Sequence, residues 1–102
     1  MLILIPVESV MDKKSRIATL ADKKAWALVK FENGEIRYVQ FFENRTAIGE
    51  EWIDFVILEN KFENYMEFMQ EGMMVLVRRQ EESIEEIMEA FKFKELDEIG
   101  VG

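Results

Sequence analysis

The first strong pattern along the chain is Leu2-Ile3-Leu4-Ile5-Pro6-Val7, an apolar run without alternation. Such a run fits a strand covered on both faces, in the middle of a sheet. Pro6 marks its end, because proline cannot donate to a ladder. Two apolar and aromatic stretches follow, Ala25–Glu32 and Glu35–Phe42, separated by Asn33-Gly34. Asn-Gly tolerates positive φ at both positions, as a type I′ turn requires, so the pattern predicts a hairpin. A two-residue turn makes cross-strand partners sum to 67. Phe31 then faces Ile36, Val29 faces Tyr38 and Ala25 faces Phe42, with Trp26–Phe41, Leu28–Val39 and Lys30–Arg37 on the other side. Both sides carry large apolar groups, so cover is expected on each.

After a polar connector with room only for a brief helical turn, residues 52–58 read as another apolar strand whose one charge is Asp54. Phe62, Tyr65, Met66 and Met69 stand at i, i+3, i+4 and i+7, which predicts an amphipathic helix over 61–71 closed by Gly72 at C′. Phe68 falls at the edge of that stripe, and an exposed Phe68 would mark an interface. Residues 73–77 form a third buried-type strand, ended by Arg78-Arg79. Ser83-Ile84-Glu85-Glu86 has capping-box spacing, and Ile84, Ile87, Met88 and Phe91 make the stripe of a last helix. The tail over 96–102 is expected to fray.

The predicted order is strand, hairpin, strand, helix, strand, helix. Strand–helix–strand over 53–77 is a βαβ unit with parallel neighbours and a right-handed crossover. The expectation is an α/β fold: a mixed five-stranded sheet with a β-hairpin and two main helices, in one domain spanning 1–102. An apolar fraction of 49% excludes global disorder. No apolar run approaches the ~20 residues of a membrane span, and no signal peptide is read, so a cytoplasmic protein without membrane contact is expected.

Charge adds a bias. Residues 1–51 carry 8 acidic and 8 basic side chains, whereas residues 52–102 carry 13 acidic and 5 basic, which places the whole net charge of −8 in the second half. That argues against nucleic acid as a partner. One basic cluster, Lys13, Lys14, Arg16, Lys23 and Lys24, reads as a solvated loop, with anion attraction as the alternative.

The chain contains no histidine and no cysteine. This removes the usual proton shuttle near neutral pH, the thiolate nucleophile and the soft ligands of zinc and iron–sulfur sites. Gly-rich phosphate cradles are missing as well. Open α/β sheets bind ligands at the carboxyl ends of their parallel strands, where Glu8, Asp12 and Glu59 could converge as a hard-cation site. An acidic nuclease of that kind wants a carboxylate inside the first strand, and this strand has only aliphatics. No catalytic residue and no metal site is therefore assigned.

Taken together, the pieces resemble the dinitrogenase iron–molybdenum cofactor biosynthesis family, the nitrogenase-accessory-factor-like domains. The opening strand into Ile5-Pro6-Val7 is similar to the family's start, and the hairpin around Glu32-Asn33-Gly34 to its second and third strands. Asn44 sits where the family commonly has an asparagine. Residues 54–58, 66–72 and 73–77 resemble its strand–helix–strand unit, and residues 83–91 its closing helix. The resemblance covers nearly the whole chain and rests on the order of the pieces. It implies a ribonuclease H-like fold and a small non-catalytic cytoplasmic binding or accessory protein. It also implies an iron–sulfur or iron–molybdenum cluster as ligand.

Several positions depart from the family pattern. Thr19-Leu20-Ala21 stands where the family's first loop commonly carries His-Phe-Gly, and Glu59-Asn60 replaces a Gly-Gly. The family's glycine-rich segment and first long helix shrink to residues 45–52. The expected ligand surface is thus Thr19, Asp22, Asn44, Arg45, Glu59 and Asn60, suited to a hard cation or polar small molecule more than to a cluster. The alternative is a homo-oligomeric interaction module without a small-molecule ligand. It would pair through Phe68 and Met74 or through the hairpin edge at 35–42.

Overall fold

The computed structural model describes residues 1–99. Its strands are β1 (Leu2–Val7), β2 (Ala25–Glu32), β3 (Glu35–Phe42), β4 (Phe55–Leu58), β5 (Met74–Val77) and β6 (Asp97–Ile99). The helices are α1 (Met66–Gln70) and α2 (Ile84–Lys92), with a 3-10 turn at Arg45–Ile48. One open mixed sheet runs in the order β3-β2-β1-β4-β5-β6. β1 is central as its unbroken apolar run requires, antiparallel to β2 and parallel to β4. β4 and β5 are parallel neighbours, the expected βαβ unit. Among the described residues no helix is long and apolar enough to cross a membrane.

Alternation along the strands divides the core in two. On the α2 face, Ile3, Ile5, Val7, Ala25, Ala27, Val29 and Phe31 meet Ile84, Ile87 and Met88. On the α1 face, Leu2, Leu4, Trp26, Leu28, Val56 and Leu58 meet Phe68 and Met73. α2 begins as its spacing predicts: Ser83 accepts from the Glu86 N–H while the Glu86 carboxylate accepts from the Ser83 N–H.

Four expectations need correction. First, the sheet has six strands, because residues 97–99 pair antiparallel with β5 where a frayed tail was expected; residues 100–102 lie outside the described residues. α2 closes with a Schellman pair, Glu95 N–H to the Ala90 carbonyl and Lys94 N–H to that of Phe91. The reversal buries Leu96 and returns the chain to the sheet. Lys94 takes the left-handed position at φ 58, with no glycine to announce the turn.

Second, the hairpin register holds only next to the turn. Asn33 and Gly34 adopt φ 55 and φ 76 as expected, and Glu32–Glu35 and Phe31–Ile36 pair. A bulge then shifts the register by one, so Lys30 faces Tyr38, Val29 faces Val39, Ala27 faces Phe41 and Trp26 faces Phe42. The extra residue, Arg37, lets Ile36, Val39 and Phe41 all pack on the α2 face. A regular ladder would have turned Val39 and Phe41 away from it.

Third, the helix expected over 61–71 is only Met66–Gln70. Asn60 and Glu63 hold the preceding residues in a loop. The Asn60 amide oxygen accepts from the Phe62 N–H at 2.9 Å, and the Glu63 carboxylate accepts from the N–H groups of Glu59 and Asn60. Fourth, the short helix is rotated relative to the expected stripe. Phe62 is 86% exposed and Phe68 only 2% exposed. Phe68 packs edge-on against Trp26 with ring centroids 5.8 Å apart. An interface through Phe68 is thereby overturned. Gly72 does close α1, at φ 91, with the Met73 N–H donating to the Phe68 carbonyl.

Candidate functional site

The carboxyl ends of the parallel strands are where this sheet offers a ligand surface, and three loops meet there. The longest, residues 8–24, leaves β1 and folds back across the N-terminus of α2. Carbonyls of Ser15 and Lys13 accept from the Ile84 and Glu85 N–H groups at 3.0 and 2.8 Å. Those are helix donors without intrahelical partners, so the loop and the capping box together satisfy the start of α2. Ser15 is fully buried and its Oγ accepts from the Met11 N–H at 3.0 Å. The basic cluster is partly neutralised by the same packing. Arg16 lies 3.0 Å from Glu82 and 3.7 Å from Glu8, and Lys13 lies 3.8 Å from Glu85. Lys23 sits over the Trp26 ring.

What this loop leaves open is a polar hollow of about 550 Å³ lined by Glu8, Thr19, Asp22, Lys23, Lys24 and Glu59, with Ile17, Ala18 and Ala21 behind them. Three of the six residues expected from sequence therefore meet: Thr19, Asp22 and Glu59. The Thr19 Oγ1 accepts from the Asp22 N–H at 3.1 Å, which shapes the turn. Leu20 donates its N–H to the Glu63 carboxylate at 2.5 Å, tying the first loop to the β4 loop.

Glu59 follows from the register of the βαβ unit. Leu58 pairs with Val77, so the residues one step beyond, Glu59 and Arg78, emerge side by side. The Arg78 guanidinium donates to the Glu59 carboxylate, to the Glu59 carbonyl at 3.3 Å and to the Glu81 carbonyl at 2.9 Å. The Asn60 amide donates to the other Glu59 oxygen at 2.8 Å. This amide first, and then Arg78, hold the Glu59 carboxyl below its ordinary pKa, against the opposing effect of partial burial. In the sequence alone Arg78 marks only the end of a strand. The parallel pairing itself was the signal that would have placed it beside Glu59.

Asn60 opens onto a neighbouring hollow of about 770 Å³ shared with Phe62, Arg78, Arg79 and Asp97. Asn44 and Arg45 line neither hollow. Asn44 precedes the 3-10 turn and its amide oxygen accepts from the Thr46 hydroxyl. Arg45 lies over the Phe68 ring, 4.8 Å from its centroid, and bridges to Glu67 and Glu71 on α1. Its Nε is buried and has no partner among the described residues, so the side chain acts as a packed cover on α1.

The donor set bears on metal chemistry directly. Among the described residues no group of three or more carboxylates is placed to hold an ion. Glu8 pairs with Arg16, Asp12 accepts from the Lys14 N–H at 2.7 Å, and Glu59 is held by Asn60 and Arg78. Thiolate and imidazole are missing from the whole chain. The residues at the strand ends do not fit an iron–sulfur or iron–molybdenum cluster.

No protein-family model and no curated protein matches this sequence. Solved structures do. The crystal structure of a protein named PH0822 superposes with a TM-score of 0.75 at 18% identity, over 96% of each chain. The crystal structure of a "putative dinitrogenase" from Methanocaldococcus jannaschii gives 0.74 at 20% identity, covering 100% of this chain and 97% of that one. An NMR structure of a "putative NifB protein" from Thermotoga, of the DUF35 family, gives 0.70 at 20% identity, covering 99% and 95%. At these identities the likeness establishes the fold, end to end.

Proposed function

We propose that this chain is a small non-catalytic binding or accessory protein of the iron–molybdenum cofactor biosynthesis type, working in the cytoplasm on a changed ligand. One observation carries the reading: the end-to-end match to folds with nitrogenase-related names is joined to a strand-end site whose donors are hydroxyl, carboxylate and ammonium. The strand order, with an antiparallel β1–β2–β3 meander beside parallel β1, β4 and β5, supports a ribonuclease H-like scaffold. Thr19, Asp22, Lys23, Lys24 and Glu59 suit a polar small molecule carrying both donors and acceptors. Incubating the purified protein anaerobically with a preformed [4Fe–4S] donor and reading visible absorbance tests the reading. No retained chromophore is expected after desalting; stoichiometric uptake would overturn it.

A second reading, the homo-oligomeric module, keeps one of its two surfaces. Among the described residues β3 is an edge strand of eight residues with no partner on its outer side, with Tyr38 exposed and Ile36, Val39, Phe41 and Phe42 only partly covered. Light scattering across a concentration series separates the two readings. A dimer at micromolar concentration favours edge pairing, and a monomer throughout excludes it.

A further inference from the structure

An apolar hollow lies at the opposite end of the sheet from the candidate site, and nothing in the proposed function uses it. It encloses about 590 Å³, within the range of small-ligand pockets. Phe31, Phe55 and Phe91 form its floor as two edge-to-face stacks about the central Phe91, with centroids 5.6 and 4.9 Å apart. Leu76 and Leu96 complete the apolar wall, and Met74, 50% exposed, leaves its side chain open at the mouth.

Among the described lining residues, two lysines stand against one carboxylate. Lys92 and Lys94, at the end of α2, line it and form no ion pair among the described residues. The Lys92 stem is laid across the hairpin turn; a Cβ at Gly34 would stand 3.1 Å from its Cε. That packing keeps the ammonium near the hollow. Both lysines complement the negative end of the α2 dipole, which accounts for their presence but not for the aromatic cavity beside them. Glu98 is the carboxylate among the lining residues, and it opposes a second negative charge on a ligand.

We propose that this hollow binds a small amphipathic monoanion, an aliphatic or aromatic body seated on Phe31, Phe55 and Phe91 with a single carboxylate-type head at Lys92 and Lys94. The apolar body supplies affinity by leaving water, and the two ammonium groups choose the sign of the head.

Dodecanoate is a suitable probe, below its micelle concentration, with dodecyltrimethylammonium and dodecanol as matched controls. The readout is the NMR spectrum of protein labelled with ¹³C-methyl methionine, in which the Met74 signal is assigned from Met74→Leu. Dodecanoate is expected to shift Met74 saturably while leaving the distant Met11 unmoved, and to bind at least about tenfold tighter than the ammonium control. The double variant Lys92→Met/Lys94→Gly removes both charges, keeps an apolar stem over Gly34 and gives the left-handed position a glycine. It is expected to lose about tenfold in dodecanoate affinity while binding dodecanol unchanged. Equal affinity for the anionic and cationic probes, an unshifted Met74, or a double variant that binds dodecanoate like wild type would each overturn the proposal. The comparison of probes on the wild-type chain decides the matter alone if the variant does not fold.

Discussion

The α2 face of the sheet is covered by nine helical residues whose apolar positions recur at regular spacing, entered through a capping box and packed with Ile84, Ile87 and Met88 fully buried. The α1 face is covered by five helical residues, a 3-10 turn and an arginine laid over one phenylalanine. The two covers lie on opposite sides of the same strands. On the α2 side, periodic apolar burial defines the layer. On the α1 side Phe68 is the buried residue of the helix, Tyr65 and Met69 pack beside it only partly buried, and polar side chains hold the surrounding segment. A short helix stands on such contacts because its own propensity is insufficient.

The largest expected effect tests that contrast. Phe68→Ala empties the centre of the α1 face between Trp26 and Arg45, and is expected to cost ~4 kcal/mol in urea unfolding. Ile87→Ala, the matched truncation on the α2 face, is expected to cost ~3 kcal/mol, spread over neighbours that can close in. Phe62→Ala, at the residue the helical pattern placed inward, should change stability by no more than ~0.5 kcal/mol. A Phe62 variant that costs more than the Phe68 variant would show that the segment 61–71 follows its sequence stripe after all.

These residues also mark where the sequence was readable. β1, the hairpin turn, the parallel βαβ pair and the start of α2 were legible because each carries a local signature: an apolar run, Asn-Gly, apolar segments of matched length, Ser-x-x-Glu. The α1 face was not. Phe62, Tyr65, Met66 and Met69 satisfy helical spacing as well as Tyr65, Phe68 and Met69 do. What selects between them is the Glu63 carboxylate, whose partner Leu20 is 43 residues away. The bulge at Arg37 and the sixth strand were hidden for a related reason. Both are settled by what the shifted residues bury, and the turn into β6 uses lysine where glycine would have been recognisable. Of the six residues that the family resemblance pointed to, Thr19, Asp22 and Glu59 line one hollow, whereas placing Arg78 beside Glu59 needed the register.

The two Schellman turns provide the next comparison, since α1 ends on Gly72 and α2 on Lys94. Gly72→Ala puts a side chain at φ 91 and against the Trp52 ring, 3.2 Å from the new Cβ, and should destabilise by ~1–2 kcal/mol. Lys94→Gly should do the reverse and stabilise by ~0.5–1 kcal/mol, because a strained left-handed lysine is relieved. Thermal unfolding of both variants checks the signs. A destabilising Lys94→Gly would mean that the lysine side chain contributes more to the α2 end than its backbone strain removes. At the other end of α2, Ser83→Ala removes the hydroxyl that accepts from the Glu86 N–H and should cost ~1 kcal/mol.

The smallest expected effect separates the faces by pH. The segment leading into α1 is anchored by Glu59, whose carboxylate receives the Asn60 amide and the Arg78 guanidinium, and whose pKa is lowered by them. A carboxyl with a lowered folded pKa stabilises fully above its unfolded value, about 4.3, and loses that contribution as pH falls through the folded value. Glu59 therefore supports the fold at neutral pH and releases its support only in acid. Amide exchange at Phe68 and Met69 should accelerate below about pH 4.3 before exchange at Ile87 and Met88, whose burial does not titrate. Glu59→Gln keeps the shape without the titration, so its stability should be lower than wild type at pH 7 and converge with it as the pH drops. Parallel pH profiles for the two proteins would show that the Glu59–Arg78 pair contributes nothing to holding the α1 side, and that apolar contact alone secures both faces.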